Sequence, residues 1–239
     1  MKTTFGEVPL WGRLEAGKPL LFVIRGAFPH PLHLHELIDR LPDYSVALVH
    51  VPGMHSPFFA DQSVAAFGAA FDELVDAFGG PTVVLGVSIG GVCAMAMRSR
   101  HIVHRILLGA PLQTGGLWQL RDRMRERIGL SPEHAVWIES LFGITPTAVF
   151  NRDYRHMVRP SDIVILCSDP LGEPRDYDRP PSVVPEEDRD VYCAAGARVM
   201  VAPNSGHNLV HDAYDLILAT VDEAMRAATG AGAGETRLA

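Results

Sequence analysis

Residues 82–97 read Thr-Val-Val-Leu-Gly-Val-Ser-Ile-Gly-Gly-Val-Cys-Ala-Met-Ala-Met, and this stretch decides the fold. Its first part, Thr82–Leu85, is a run of β-branched and apolar residues without polar alternation, which is typical of a strand buried on both faces of a parallel sheet. Val92–Met97 continues as an apolar helical pattern. Glycines flank Ser88 between the two, so the sequence predicts a strand, a sharp turn that holds Ser88, and a helix.

Other short apolar runs, bounded by Gly, Pro or Asp, indicate further buried strands. They are Leu20–Ile24, Val46–Val51, Ile106–Leu108, Ile163–Cys167 and Val199–Val201. Segments with apolar residues at helical spacing lie between them, and the clearest are Ser63–Phe78, Ser88–Arg100 and His211–Ala228. Because strands alternate with helices, the sequence predicts an α/β fold with a mostly parallel, doubly wound sheet.

The alternation is interrupted once, between Leu112 and Val158, where no strand pattern occurs. Helical patterns at about Leu117–Ile128 and Pro132–Phe142 fill this segment, which indicates a small helical cap inserted into the fold. The Gly- and Ala-rich end of the chain is typical of a loose tail. The predicted organisation is a core of residues 1–111 and 159–228, a cap of residues 112–158, and a flexible tail of residues 229–239.

The composition favours a globular protein and disfavours several functional classes. Of 239 residues, 47% are hydrophobic, which is enough to bury a sizeable core. The formal net charge of -7 would repel a phosphate backbone, which argues against nucleic-acid binding, and 3 cysteines do not suggest a disulfide framework. The N-terminus lacks the apolar core of a signal peptide, and the run Thr82–Met97 is too short to span a membrane, so we expect a soluble, cytoplasmic protein.

Ser88 is the first candidate for chemistry. A sharp turn strains the serine backbone, and the glycines on either side relieve the crowding. The N-terminus of the following helix would face the hydroxyl group, where its free N–H groups and its dipole favour developing negative charge. The alternative interpretation is an ordinary strand–helix turn in which Ser88 caps the helix.

A reactive serine also needs a base and a group that orients the base. His207 follows the last strand run, so we expect it at the carboxyl edge of the sheet, where catalytic groups gather; the alternative is an ordinary surface histidine. Asp169 lies just after the preceding strand run and is the candidate acid, with Asp176 and Asp178 as rivals in the same loop. The order Ser88, Asp169, His207 is a known order of catalytic triads.

Stabilising the oxyanion of an acyl-transfer reaction requires two N–H donors near the nucleophile. The N–H of Ile89, directly after Ser88, is the first predicted donor. The second should come from the loop after Leu20–Ile24, where we predict the N–H of Ala27, with Phe28 as the alternative.

Between Leu20 and Ala228 the chain resembles the α/β-hydrolase superfamily. The markers of the resemblance are Arg25-Gly26-Ala27-Phe28-Pro29, Val51-Pro52-Gly53-Met54-His55, the Ser88 turn, Ser168-Asp169-Pro170 and Gly206-His207. The resemblance implies a serine nucleophile, an acyl-enzyme, no cofactor, and a cap inserted where residues 112–158 lie. Two features depart from the pattern: Arg25 stands where relatives often have histidine, and the Pro-rich, charged stretch Pro174–Asp190 replaces their compact helix.

Residues Phe28, Trp118, Trp137 and Phe142 are predicted to line an apolar substrate pocket, and packing of the cap on the core would explain the cap aromatics equally well. The histidines at positions 30, 33 and 35 cluster, but no HExxH motif accompanies them, so we predict no metal site. Ser88 occupies the central position of a GxGxxG pattern and no Walker lysine follows, which argues against nucleotide binding.

These features predict a serine hydrolase that cleaves an ester or thioester of a small, partly apolar substrate, without cofactor, metal, nucleic acid or membrane. One alternative keeps the same triad but hydrolyses a carbon–carbon bond, transfers an acyl group or carries out perhydrolysis. The other alternative is a non-catalytic hydrolase-fold protein that binds a ligand or a partner.

Overall fold

A seven-stranded sheet forms the centre of the computed structural model, which describes residues 1–27, 33–54, 56–115, 117, 121–171 and 182–230. The strands are β1 (Leu10–Arg13), β2 (Leu20–Ile24), β3 (Ser45–Val49), β4 (Thr82–Val87), β5 (Ile102–Leu108), β6 (Asp162–Cys167) and β7 (Arg198–Ala202). Their order is β1-β3-β2-β4-β5-β6-β7, and β1 is antiparallel to β3 while the other pairs are parallel. The predicted fold class is therefore confirmed.

Helices cover both faces of the sheet, as the connections between parallel strands require. The helices of the described residues are α1 (His33–Arg40), α2 (Val64–Phe78), α3 (Ile89–Ala96), α4 (Arg121–Ile128), α5 (Pro132–Phe142), α6 (Glu186–Ala194), α7 (Leu209–Asp212) and α8 (Tyr214–Ala228), of which α4 and α5 lie in the segment 112–158. In β2, Phe22 and Ile24 join one buried apolar cluster and Leu21 and Val23 join the other, because successive side chains point to opposite faces. Both faces of the central strands are therefore buried, which explains their continuous apolar runs.

Helix α2 shows how local signals fix these elements. Its start is capped by Ser63, whose Oγ accepts a hydrogen bond from the N–H of Ala66 at 3.1 Å. Its end is closed by Gly79, which adopts a φ of 76° that favours glycine. Inside the helix, a Cβ placed on Gly68 would lie 2.7 Å from Ala96 Cβ, so this glycine permits the close packing of α2 against α3.

Three elements differ from the sequence-based prediction. β1 was not predicted because it is a short, half-exposed edge strand; it contains Gly12, where a Cβ would lie 1.9 Å from the carbonyl oxygen of Val46. α1 was not predicted because its sequence is largely polar. α6 begins at Glu186, so the end of the stretch 174–190 is helical after all, which corrects the expectation that this stretch replaces a helix.

Polar contacts fasten both ends of the segment 112–158 to the core. At its start, the carboxylate of Asp188 in α6 is fully buried and accepts hydrogen bonds from the N–H of Leu112 at 2.9 Å and from Gln113 Nε2 at 3.0 Å. At its end, the buried guanidinium group of Arg105 pairs with Asp162 at 2.7 Å and donates to the carbonyl oxygen of Met157 at 3.1 Å. The segment contains α4 and α5, in line with the predicted helical insertion, and its role as a cap stays a prediction.

Within the described residues, no helix combines the length and the apolar character needed to cross a membrane.

Candidate active site

Ser88 lies in the sharp turn between β4 and α3, with φ 53° and ψ -121°. A non-glycine residue with positive φ costs on the order of 1–3 kcal/mol and persists only where its surroundings hold it. Here the N–H of Ser88 donates to the carbonyl oxygen of Leu108 at 2.8 Å, and its own carbonyl oxygen accepts from the N–H of Gly91 at 2.8 Å. The backbone on both sides therefore fixes the strained conformation.

The three glycines around Ser88 each prevent a different clash. A Cβ on Gly86 would lie 2.5 Å from Gly91 Cα, and a Cβ on Gly90 would lie 2.4 Å from the carbonyl oxygen of Ile24 in β2. A Cβ on Gly91 would lie 2.6 Å from Ala110 Cβ. Gly91, which lies outside the GxSxG pattern, is thus as tightly packed as the glycines within it.

The structure brings His207 to Ser88, with Nε2 of the imidazole 3.0 Å from Oγ of the serine. His207 follows β7, at the same edge of the sheet as the turn after β4. Its ring lies beside Gly109, where an added Cβ would be 3.2 Å from Nδ1 and 3.3 Å from Cε1. The glycine at the end of β5, which has a φ of 52°, therefore leaves the space that the imidazole occupies.

The surroundings of His207 keep it neutral at physiological pH. Desolvation by the surrounding protein lowers the pKa of His207 from 6.5 to about 4, since burial disfavours the charged ring. A neutral ring can accept the proton of Ser88 at Nε2 when its own hydrogen is on Nδ1. The pair therefore has the protonation states that a nucleophile and its base require.

Asp169 lies on the loop that follows β6, two residues beyond the end of the strand, and is half-buried. Its backbone N–H donates to the carbonyl oxygen of Ser205 at 3.1 Å, which links it to the loop that carries His207. No hydrogen bond joins its carboxylate to Nδ1 of His207, an atom that has no hydrogen-bond partner in the part of the chain that the structure describes. Ser88 and His207 are thus in contact, while the role of Asp169 stays a prediction.

The predicted oxyanion donors lie near the Ser88 turn. Ile89 is the first residue of α3, so its N–H has no acceptor within the helix. Ala27 follows β2, the strand beside β4, and the close approach of Gly90 to Ile24 and Arg25 shows that the end of β2 borders the turn. The alternative donor, Phe28, lies outside the described residues, and the assignment of both donors stays a prediction.

Arg25 has a partner that the sequence analysis did not identify. Its Nη1 lies 3.2 Å from Nε2 of His50, which follows β3, and the edge of the Trp11 ring lies against His50 with a centroid distance of 5.2 Å. Desolvation lowers the pKa of Arg25 below its usual value. Arg25 therefore contacts the residue that follows β3, the strand beside β2. No local pattern in the sequence indicates this contact with His50.

Two of the predicted substrate-binding residues are buried in the apolar core. Trp137 is 1% exposed and Phe142 is 3% exposed, and their ring centroids lie 5.6 Å apart. Nε1 of Trp137 donates to the carbonyl oxygen of Pro52 at 2.6 Å, which fastens α5 to the core. These contacts favour the interpretation that Trp137 and Phe142 pack the segment 112–158 on the core, and their contact with a substrate stays a prediction. The other two predicted residues, Phe28 and Trp118, lie outside the described residues.

A family model described as "Alpha/beta hydrolase family" matches residues 20–220 of the chain. A lipase-esterase related protein from Clostridium acetobutylicum has a similar structure, with a TM-score of 0.62 at 12% identity, over 90% of this chain and 98% of the other. For a thermophilic esterase from Thermogutta terrifontis the TM-score is 0.60 at 16% identity, over 95% and 96%. For a thioesterase domain from the curacin biosynthetic pathway it is 0.55 at 19% identity, over 89% and 93%. No curated protein sequence matches the chain.

Proposed function

Since the chain belongs to the alpha/beta hydrolase family, we propose that it is a serine hydrolase that cleaves an ester or thioester of a small, partly apolar substrate. The observation that carries the proposal is the 3.0 Å contact between Ser88 Oγ and His207 Nε2 at a strained turn. A serine that only capped α3 would accept a hydrogen bond from the first turn of the helix, and Ser88 makes no such bond. The esterase and the thioesterase domain among the similar structures support the choice of bond.

In the proposed reaction, Ser88 Oγ attacks the carbonyl carbon of the substrate while His207 Nε2 takes the hydroxyl proton. The N–H groups of Ile89 and Ala27 then bind the oxyanion of the tetrahedral intermediate. His207 returns the proton to the leaving alcohol or thiol as the carbon–oxygen or carbon–sulfur bond breaks. Water, deprotonated by His207, attacks the acyl-enzyme, and as the bond between the acyl carbon and Ser88 Oγ breaks, His207 returns the proton to Oγ and the carboxylic acid is released.

In the proposed reaction, Asp169 acts when His207 becomes charged. In the free protein the imidazole is neutral and its Nδ1 makes no hydrogen bond within the described residues. Proton transfer from Ser88 creates an imidazolium in a partly buried, desolvated position, which is costly unless it is paired with an opposite charge. We assign that charge to Asp169, whose loop is hydrogen-bonded to the loop of His207.

The remaining features of the proposal follow from composition and chemistry. The acidic chain and the hydroxyl–imidazole pair favour an uncharged or weakly charged small molecule over a nucleic acid. The cysteines Cys93, Cys167 and Cys193 are unpaired thiols, which supports a reducing compartment such as the cytoplasm.

An activity-based probe tests the proposal directly. A fluorophosphonate should label the wild-type protein at Ser88, and the Ser88→Ala variant should not be labelled. A control variant, Ser140→Ala, removes a half-buried serine of α5 and should leave labelling unchanged. A panel of p-nitrophenyl esters and acyl thioesters of increasing chain length then identifies the preferred bond and acyl size. If the wild-type protein is not labelled and hydrolyses none of these compounds, the proposed function is wrong.

A further inference from the structure

Two serines join the loop after β6 to the loop after β7. Ser168 precedes Asp169, and Ser205 lies two residues before His207. Ser168 Oγ donates to the carbonyl oxygen of Ser205 at 3.3 Å and accepts from the N–H of Ser205 at 3.0 Å. In return, Ser205 Oγ accepts from the N–H of Ser168 at 3.3 Å. We call this reciprocal set of bonds the serine clasp.

We propose that Ser168 and Ser205 are positioning residues that act through Asp169, setting where its carboxylate lies relative to His207. The inference rests on the proposed function, because it assigns Asp169 a role in stabilising the charged imidazole. It adds residues that neither the GxSxG pattern nor the order of the triad indicates.

The half of the clasp on the His207 side is rigidly held. Ser205 is fully buried, and its Oγ donates to the carbonyl oxygen of Ala202 at the end of β7 at 2.7 Å. The next residue, Gly206, donates its N–H to the carboxylate of Asp212 in α7 at 2.8 Å. The loop that carries His207 is therefore tied to a strand and to a helix as well as to the loop of Asp169.

The loop that carries Ser168 and Asp169 is less closely surrounded by protein. A cavity of about 420 Å³ opens beside this loop, and its lining includes Cys167, Asp169, Arg189 and Val201. Space on that side would let the carboxylate of Asp169 move away from His207. The bonds that limit this movement include those of the clasp, the bond from the Asp169 N–H to the Ser205 carbonyl oxygen, and the contact of Cys167 Sγ with the Asp169 carbonyl oxygen at 3.8 Å. The clasp thus fixes the loop of the acid to the rigid loop of the base.

The first experiment compares Ser168→Ala with a matched control. Ser45→Ala removes another fully buried serine, whose Oγ exchanges hydrogen bonds with the backbone of Glu15 at 2.8 and 3.1 Å near the start of β3. We expect Ser168→Ala to lower kcat about 10-fold with little change in KM, since misplacing a group that acts in the transition state lowers kcat. Ser45→Ala should lower the melting temperature to a similar extent and leave kcat unchanged. Ser168→Thr keeps the hydroxyl group on an exposed residue and should retain the wild-type kcat.

The second experiment asks whether the clasp acts through the acid. In an Asp169→Asn background, Ser168→Ala should lower kcat less than about 2-fold, because the group that the clasp positions is already missing. The same 10-fold loss in both backgrounds would overturn the inference, as would an unchanged kcat in Ser168→Ala when wild-type Ser88 is labelled by a fluorophosphonate. Absence of labelling in the wild-type protein would instead overturn the proposed function, and the inference with it.

Discussion

The turn that carries Ser88 and the loops that carry Asp169 and His207 lie at the same edge of the sheet, but they are held in different ways. Backbone contacts fix the Ser88 turn, where Gly90 and Gly91 pack against main-chain and Cβ atoms at distances that admit no side chain. Side-chain hydrogen bonds hold the two loops, chiefly those of Ser168 and Ser205. The Ser88 turn is thus held by close packing of the backbone, whereas the loops of Asp169 and His207 are held by side-chain hydrogen bonds.

The largest effect is expected from removing the nucleophile. Ser88→Ala should lower the rate of hydrolysis of a short p-nitrophenyl ester by about 10⁴-fold or more, because no other described group can form the acyl-enzyme with His207. Circular dichroism should show an unchanged fold, since alanine keeps the Cβ. Undiminished turnover in this variant would mean that Ser88 is not the nucleophile.

A substitution at the rigid turn should damage stability and activity together. Gly90→Ala would place a Cβ 2.4 Å from the Ile24 carbonyl oxygen, and we expect a loss of about 3 kcal/mol in the free energy of unfolding. Gly129→Ala is the control, since its nearest contact would be an ordinary 3.5 Å. Urea unfolding of both variants measures the difference. Equal stability of the two variants would show that the turn relaxes more easily than its packing indicates.

A substitution in the loops should lower activity without a comparable loss of stability. Asp169→Asn should lower kcat about 100-fold, less than loss of the nucleophile, because the carboxylate acts only on the charged imidazole. Asp222→Asn, on the exposed face of α8, provides a control in which kcat should not change. Steady-state kinetics and thermal melts check both statements. A wild-type kcat in Asp169→Asn would assign the pairing charge to another residue.

The smallest effect concerns the pH dependence of kcat/KM, whose midpoint should lie below the unperturbed pKa of histidine. Because the pKa of His207 is lowered to about 4, the neutral base persists well below pH 6, and kcat/KM should fall only as the pH approaches 4. Circular dichroism at each pH separates this loss from acid unfolding. A fall centred near the unperturbed value of about 6.5 would instead indicate that a carboxylate already pairs with Nδ1 in the free protein.

The sequence predicts the parts of this molecule that depend on local pattern. The strands β2 to β6 were predicted because strands covered on both faces leave continuous apolar runs. β7 was also predicted as a strand, but it lies at the edge of the sheet and Val201 is 41% exposed, so its prediction as buried was wrong. The turn at Ser88 follows from the glycine spacing, and the approach of His207 to it follows from their positions after parallel strands, whose carboxyl ends lie at one edge of the sheet. The helix α6 was missed because its sequence is mostly polar and charged. Its Asp188 is buried where it accepts hydrogen bonds from Leu112 and Gln113, and the sequence pattern does not indicate these contacts.

The relation between His207 and Asp169 could not be predicted in this way. Which edge of the imidazole faces the acid depends on where the ring packs, and it packs beside Gly109 at the end of β5. The serine clasp likewise depends on the contact of two loops whose serines lie 37 residues apart in the chain, and no sequence pattern indicates that contact.

The anchors at the two ends of the segment 112–158 bind main-chain atoms. Asp188 binds the main-chain N–H of Leu112, and Arg105 binds the main-chain carbonyl oxygen of Met157. Every residue except proline presents that N–H and every residue presents that carbonyl oxygen, so these two anchors place few demands on the side chains at the ends of the segment. The side chains at these two ends can therefore vary without loss of the anchors, whereas the buried Trp137 and Phe142 tie the middle of the segment to the core.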